Sequence, residues 1–146
     1  MDAIELLKND HQKVEKIFAA MEKKEERQRR FPELDRELSV HAEIEERIFY
    51  PATKEAEPTR DLVLESIEEH KQIKMVLADL EQTDKTTDEW GAALKVLKED
   101  VMHHVGEEET DLFPKVRKVL SKDQLEDLGT RMEELKLQLL AAVQAR

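Results

Sequence analysis

The chain has 146 residues, 40% of them charged and only 4% aromatic, with a net charge of −11, three glycines, four prolines and no cysteine. One domain fits this length and two comfortable cores do not. The absence of cysteine excludes disulfides, thiolate zinc sites, cysteine-held iron–sulfur clusters and cysteine nucleophiles, so any metal must be held by nitrogen and oxygen. The acidic balance argues against nucleic acid as a partner, because Lys and Arg supply phosphate affinity, and it disfavours anionic membranes. No apolar stretch approaches the roughly 20 residues that span a bilayer. Met1-Asp2-Ala3-Ile4-Glu5 lacks the regions of a signal peptide, and a cytoplasmic protein is expected.

Glu, Lys, Leu and Ala dominate, which suits long helices with solvated outer faces and not a β-sandwich. The apolar spacing predicts five helices. The first runs from about Asp2 to Glu25 on the stripe Leu7, Val14, Phe18, Met21; the basic run Arg27-Gln28-Arg29-Arg30 reads as a helix end. The second starts near Pro32, with Leu34, Leu38, His41, Glu45 and Ile48 on its buried stripe. The third follows Pro58, with Thr59 as a candidate N-cap and Val63, Ile67, His70, Ile73, Leu77 and Leu80 inward. After a polar loop from Gln82 to Asp88 the fourth carries Leu94, Leu97, Val101, His104, Glu108 and Leu112. The last begins at Ser121, which forms a candidate capping box with Gln124, and continues through Leu125, Leu128, Met132, Leu135, Leu139 and Val143.

Two segments echo one another. His41 to Pro51 and His104 to Pro114 each place a Glu four residues after the His, a second acid beside that Glu, and a proline ten residues after the His. Residues four apart project from one helix face, so each copy presents an imidazole and a carboxylate together. Asp10-His11 and Glu69-His70 form a second echo. Two related hairpins therefore make residues 1–120 an up-and-down four-helix bundle, and residues 121–146 add a C-terminal helix to the same domain. That helix packs outside the bundle or contacts a second copy of the chain.

A lone histidine on an apolar stripe is ordinarily a satisfied core residue. Here His11, His41, His70 and His104 sit on the stripes of four different helices, with Glu45 and Glu108 on two of them. Buried carboxylates are tolerated when paired or bound to metal. The constellation points to a dinuclear metal site. His103 lies about 100° from His104 around the helix and reads as a surface residue or a support for the ligands. Glu46, Glu107 and Glu109 read as solvated acids or as supports for the ligands. Pro51 and Pro114 should kink or end their helices.

Over about residues 3–120 the pattern resembles the hemerythrin-like, or HHE cation-binding, domain family. That resemblance implies an all-α four-helix bundle holding two non-haem iron ions, bridged by two carboxylates and an oxo or hydroxo group. It assigns His11, His41, His70 and His104 as terminal ligands and Glu45 and Glu108 as bridges. Ferritin-like bundles use Glu-x-x-His, and no histidine here has Glu three residues before it. One position departs from the family's oxygen carriers. Where those have a further His one turn after the third-helix ligand, this chain has Lys74.

Two histidines per iron, on a near-symmetric site, imply reaction with a small molecule and not reversible oxygen carriage. The expected ligand is peroxide, dioxygen or nitric oxide, in a setting of oxidative or nitrosative stress, with catalase-like turnover as one form of that chemistry. The alternative is an iron- or oxygen-sensing, or oxygen-binding, module without turnover. Lys74 is expected to snorkel outward and be inert, and Tyr50 to pack at the bundle end, with a role beside the metals as the competing reading for each.

Overall fold

Asp2 starts the first helix, α1 (Ala3–Ala20), through a reciprocal capping box in which its side chain accepts from the Glu5 amide at 2.8 Å. In this computed structural model, which describes residues 1–144, α2 (Lys24–Ile44) runs through a π-helical segment (Glu45–Phe49) into α3 (Tyr50–Lys54). The second hairpin repeats the plan: α4 (Glu57–Gln82), α5 (Asp88–Glu107), a π-helical segment (Glu108–Leu112) and α6 (Phe113–Val119). The last helix, α7 (Lys122–Gln144), follows a capping box between Ser121 and Gln124. No strand occurs among the described residues, and no helix is long and apolar enough to cross a membrane.

Several boundaries differ from expectation for local reasons. α2 begins well before Pro32, which lies inside the helix. The proline is exposed, so the carbonyl one turn earlier, at exposed Gln28, can turn to water. The basic run does not end a helix. It lies in the first turns of α2, where Arg29 and Arg30 reach Glu26, and Arg27 donates to the Met21 carbonyl at the end of α1. Thr59 is no N-cap; Ala56 occupies that position, and the Thr59 hydroxyl donates to the carbonyls of Thr53 and Ala56. Pro51 and Pro114 do not stop their helices either. Each follows a π-helical turn, so the missing amide falls where the hydrogen-bonding pattern is already changing.

Each of the four bundle helices carries apolar residues on both sides of one histidine. Leu7 and Val14 flank His11, Leu38 and Ile44 flank His41, Val63 and Ile73 flank His70, and Val101 and Leu112 flank His104. The result is two apolar cores with a polar layer between them. α7 packs on α1, α2 and the first π-helical segment.

Gly129 explains how closely α7 approaches α1. A Cβ there would lie 2.3 Å from the Met1 carbonyl oxygen and 2.9 Å from the Ala3 nitrogen, both backbone atoms that cannot swing aside. Gly129→Ala is therefore expected to cost about 2 kcal/mol and to lower Tm by about 5 °C. Thermal denaturation checks this, and an unchanged Tm would contradict the close packing.

Candidate metal centre

The polar layer holds His11 on α1, His41 on α2, His70 on α4 and His104 on α5, with Glu45 and Glu108 opening the two π-helical segments. All six side chains are buried, the two glutamates completely. Their donor atoms form two triads, His11, His41 and Glu108 in one and Glu45, His70 and His104 in the other. The glutamates span the halves. Glu45 Oε1 lies 3.1 Å from Nε2 of both His41 and His70, and Glu108 Oε1 lies 3.2 Å from His11 Nε2 and 3.5 Å from His104 Nε2.

These groups are close without being satisfied. Among the described residues, Nε2 of His11 and His41, both oxygens of Glu45 and Oε1 of Glu108 are buried without an aligned hydrogen-bond partner. A buried polar atom left in this way costs about 1–3 kcal/mol, and five in one layer would be a heavy penalty for a purely structural core. Imidazole nitrogen and carboxylate oxygen are donors that suit a transition-metal cation, and the unsatisfied atoms face one another. The residues fit a bound metal.

An outer ring of acids orients the imidazoles. Nδ1 of His11 donates to Glu109 at 2.7 Å, His41 to Asp10 at 3.0 Å, His70 to Glu46 at 2.8 Å and His104 to Glu69 at 2.8 Å. A carboxylate only accepts, so each Nδ1 carries a proton and each Nε2 is turned inward, as in metal sites generally. The pairs follow the repeat. The acid before the first histidine of a hairpin holds that hairpin's second histidine, and the acid after each buried glutamate crosses to the other hairpin. Asp10 and Glu69 are thus supports that the acid-then-His echo contained but that spacing alone did not assign.

Electrostatics follow from this packing. Burial alone would lower the His41 imidazole, but Glu45 and Asp10 outweigh it and push the pKa up to about 10. His70 and His104 are also raised against burial, by Glu45 and Glu46 in one case and by Glu108, Glu45 and Glu69 in the other. Burial and the neighbouring Glu45 charge raise Glu108, whereas His41 holds Glu45 well below the usual carboxylate range despite its burial.

Tyr50 belongs to this layer, and packing at the bundle end does not describe it. Its amide donates to the Glu45 carbonyl five residues back, the bond of a π turn, which stacks Tyr50 over Glu45. The hydroxyl donates to Glu108 Oε2 at 2.7 Å and lies 3.2 Å from His70 Nε2 and 3.3 Å from His104 Nε2. Burial and the two glutamates hold the phenol pKa well above its ordinary value, so the proton stays on oxygen. The counterpart of Tyr50 in the second copy is Phe113, which stacks on His11 at 5.9 Å and 8°. The layer is therefore asymmetric: one half has a hydroxyl and the other a bare ring. Lys74 does reach outward, half exposed, but it is not inert. Its Nζ donates to Glu46 at 2.6 Å, and Glu46 holds His70.

The model of the hemerythrin HHE cation-binding domain matches residues 2–116. The chain belongs to that family. An HHE domain binds metal cations, and the buried His and Glu clusters are where this one would do so. Its fold agrees: the crystal structure of an HHE cation-binding domain-containing protein from Mycobacterium kansasii, described as a homolog of Rv2633c, superposes with a TM-score of 0.85 at 27% identity, over 97% of this chain and 89% of that one. The uncharacterized protein Rv2633c of Mycobacterium tuberculosis is 30% identical over 137 residues, 90% of this chain and 83% of that protein. A DNA nickase from a Nostoc species is 27% identical over 139 residues; this HHE chain spans 93% of its own length there but only 39% of the nickase.

His103 provides a control for the register of α5. Its side chain is 65% exposed and touches Glu107 at 2.9 Å, outside the polar layer. His103→Ala is expected to leave bound metal unchanged and His104→Ala to lose at least half of it, by elemental analysis of purified protein. The reverse order would place the wrong histidine inward.

Proposed function

We propose that the chain holds a pair of non-haem iron ions and reacts with small oxidants, namely hydrogen peroxide, dioxygen or nitric oxide. His11 and His41 would hold one ion and His70 and His104 the other, with Glu45 and Glu108 between them. Two adjacent redox ions supply the two-electron change that making or breaking an O–O bond requires.

The observation that carries this reading is a cavity of about 230 Å³ lying against all four histidines, otherwise walled mainly by Val14, Leu38, Ile73, Leu77, Val101 and Val105, with Ser39, Glu43 and Lys74 also on its lining. It has room for a diatomic or a peroxide, and its apolar walls discourage bulk water. Its wall residues come from the core on the α1–α2 turn side, whereas Tyr50 and Phe113 belong to the other core. The ligand would thus approach from the apolar side, while the Tyr50 hydroxyl holds a proton at Glu108 Oε2 on the aromatic side.

Lys74 supports reaction over carriage. The position that would add a fifth histidine instead carries an ammonium turned toward Glu46, so each half is left with two imidazoles. The test is to load purified protein with iron, confirm two ions per chain, add hydrogen peroxide and follow oxygen release. Catalase-like disproportionation converts two peroxides to two waters and one dioxygen. Intact iron with no oxygen release would overturn the peroxide reading.

Tyr50→Phe refines it. Phe113 already occupies the equivalent position, so the substitution should keep the fold, and at matched iron content it should slow oxygen release about 100-fold or more through loss of the proton donor. Equal rates would remove Tyr50 from the chemistry.

The Nostoc relative favours a second reading, because there the matching region forms only part of a longer protein. A binding or sensing module would take up iron and ligand without turnover, and the same assay separates the two. The nickase activity named for that relative finds no support in this chain's charge, since a net −11 opposes phosphate binding.

A further inference from the structure

Three of the four acids that orient the histidines are themselves held, and one of these is held from outside the repeat. Glu46 receives Lys74 from α4 at 2.6 Å, and Glu69 faces His103 at 3.5 Å. Asp10 receives Lys136 from α7: Nζ donates to Oδ1 at 2.5 Å, while Oδ2 accepts from His41 Nδ1 at 3.0 Å. Lys136 lies beyond residues 2–116, the part of the chain that matches the family model. Asp10 is also the most enclosed of the four acids, with 7% side-chain exposure against 16% for Glu69, 26% for Glu46 and 36% for Glu109.

We propose that Lys136 is a positioning residue for the metal centre: α7 delivers its ammonium onto Asp10, and Asp10 in turn fixes the His41 ring with Nε2 inward. The proposal rests on His41 being a metal ligand. A buried carboxylate needs partners on both oxygens, and Asp10 has one for each. Without Lys136, Oδ1 is left unpaired on a carboxylate that is only 7% exposed. The carboxylate must then turn to find another donor, and the His41 hydrogen bond turns with it. The acids of the other histidines are less enclosed and can use water instead.

The placement of Lys136 is built in. Gly129 seats α7 on the backbone at the start of α1, and Met132, one turn before Lys136, is fully buried. The hydrogen-bonded chain Lys136–Asp10–His41 then links the C-terminal helix to one half of the centre and not to the other.

The test uses the full chain loaded with Co²⁺, so that no reaction with an oxidant is involved, and follows metal loss to a competing chelator. Lys136→Met should release one of the two ions about 10-fold faster, the low end of the loss in affinity that follows removal of a group bonded to a ligand, since Lys136 acts through Asp10. Lys136→Arg should stay close to wild type. In an Asp10→Asn background, Lys136→Met should add no further acceleration. Unchanged release in Lys136→Met overturns the proposal, as does an undiminished acceleration on top of Asp10→Asn, which would assign Lys136 a general role in stability. The metal-free protein provides an independent readout. The Nδ1 proton resonance of His41 should persist in wild type and Lys136→Arg and shift or vanish in Lys136→Met, while that of His104 stays in place. A His41 signal unmoved by Lys136→Met overturns the proposal. A chain that takes up no Co²⁺ would instead count against the metal-centre reading, and the resonance would still decide the role of Lys136.

Discussion

Replacing either Glu45 or Glu108 with alanine will cost the protein most of its metal, and more than the loss of any single histidine. Each glutamate lies between the two histidine pairs, so its removal weakens both halves at once, whereas a histidine serves one. The metal-free proteins should separate the two glutamates. Glu108 is raised by burial and by the charge of Glu45, so its ionised form is unfavourable in the empty site. Glu108→Gln is then expected to leave the metal-free fold as stable as wild type or more so, because the neutral amide avoids the cost of a charge buried beside Glu45. Glu45 is held well below its ordinary value by His41 and other polar partners, and Glu45→Gln should destabilise the same fold. Two copies of one motif thus diverge without metal and share a sign with it. Elemental analysis and thermal denaturation of all four variants check this, and full metal retention by either alanine variant would remove that glutamate from the centre.

The bundle and the six inward donors could be read from the chain because they obey one period. His41, Glu45, His104 and Glu108 fall on stripes of Leu, Val and Ile at steps of three and four, and burial follows from that register. Tyr50 breaks the period. Nine residues of α-helix put it about 180° from His41, yet the π turn inserts one residue and aligns Tyr50 with Glu45 five before it. Nothing in residue spacing announces such a turn in advance, although a proline after both motifs hinted at irregular backbone. Glu46 and Glu109 were legible as candidate supports, but which histidine each acid holds was hidden for another reason. Asp10 precedes His11 in the chain but binds His41, and Glu46 follows Glu45 but binds His70, so the pairing depends on which helices are neighbours. Gly129 and Lys136 carried no sequence signal, since their partners on α1 are more than a hundred residues away.

Stripping the metal should make the protein sensitive to pH in a direction that the loaded protein does not share. In the metal-free site the folded pKa of His41 stands at about 10, above its ordinary 6.5, and those of His70 and His104 are raised as well. Below pH 6.5 the unfolded chain holds these protons too, and the ion pairs with Glu45, Asp10, Glu46 and Glu69 contribute fully. Above it the unfolded chain releases them first, so the contribution is lost as pH rises toward 10. A bound ion reverses this. It needs the Nε2 lone pairs, so uptake displaces protons and affinity grows with pH, by up to about tenfold per unit for each proton displaced. At neutral pH, free metal at about 1,000 times Kd stabilises the fold by about 4 kcal/mol, or about 10 °C in Tm for a chain of this size. The gap between loaded and metal-free Tm should then widen between pH 6.5 and 9.5. Calorimetry at three pH values across that window measures it. A gap that narrows with pH would mean that the histidines do not exchange protons for metal.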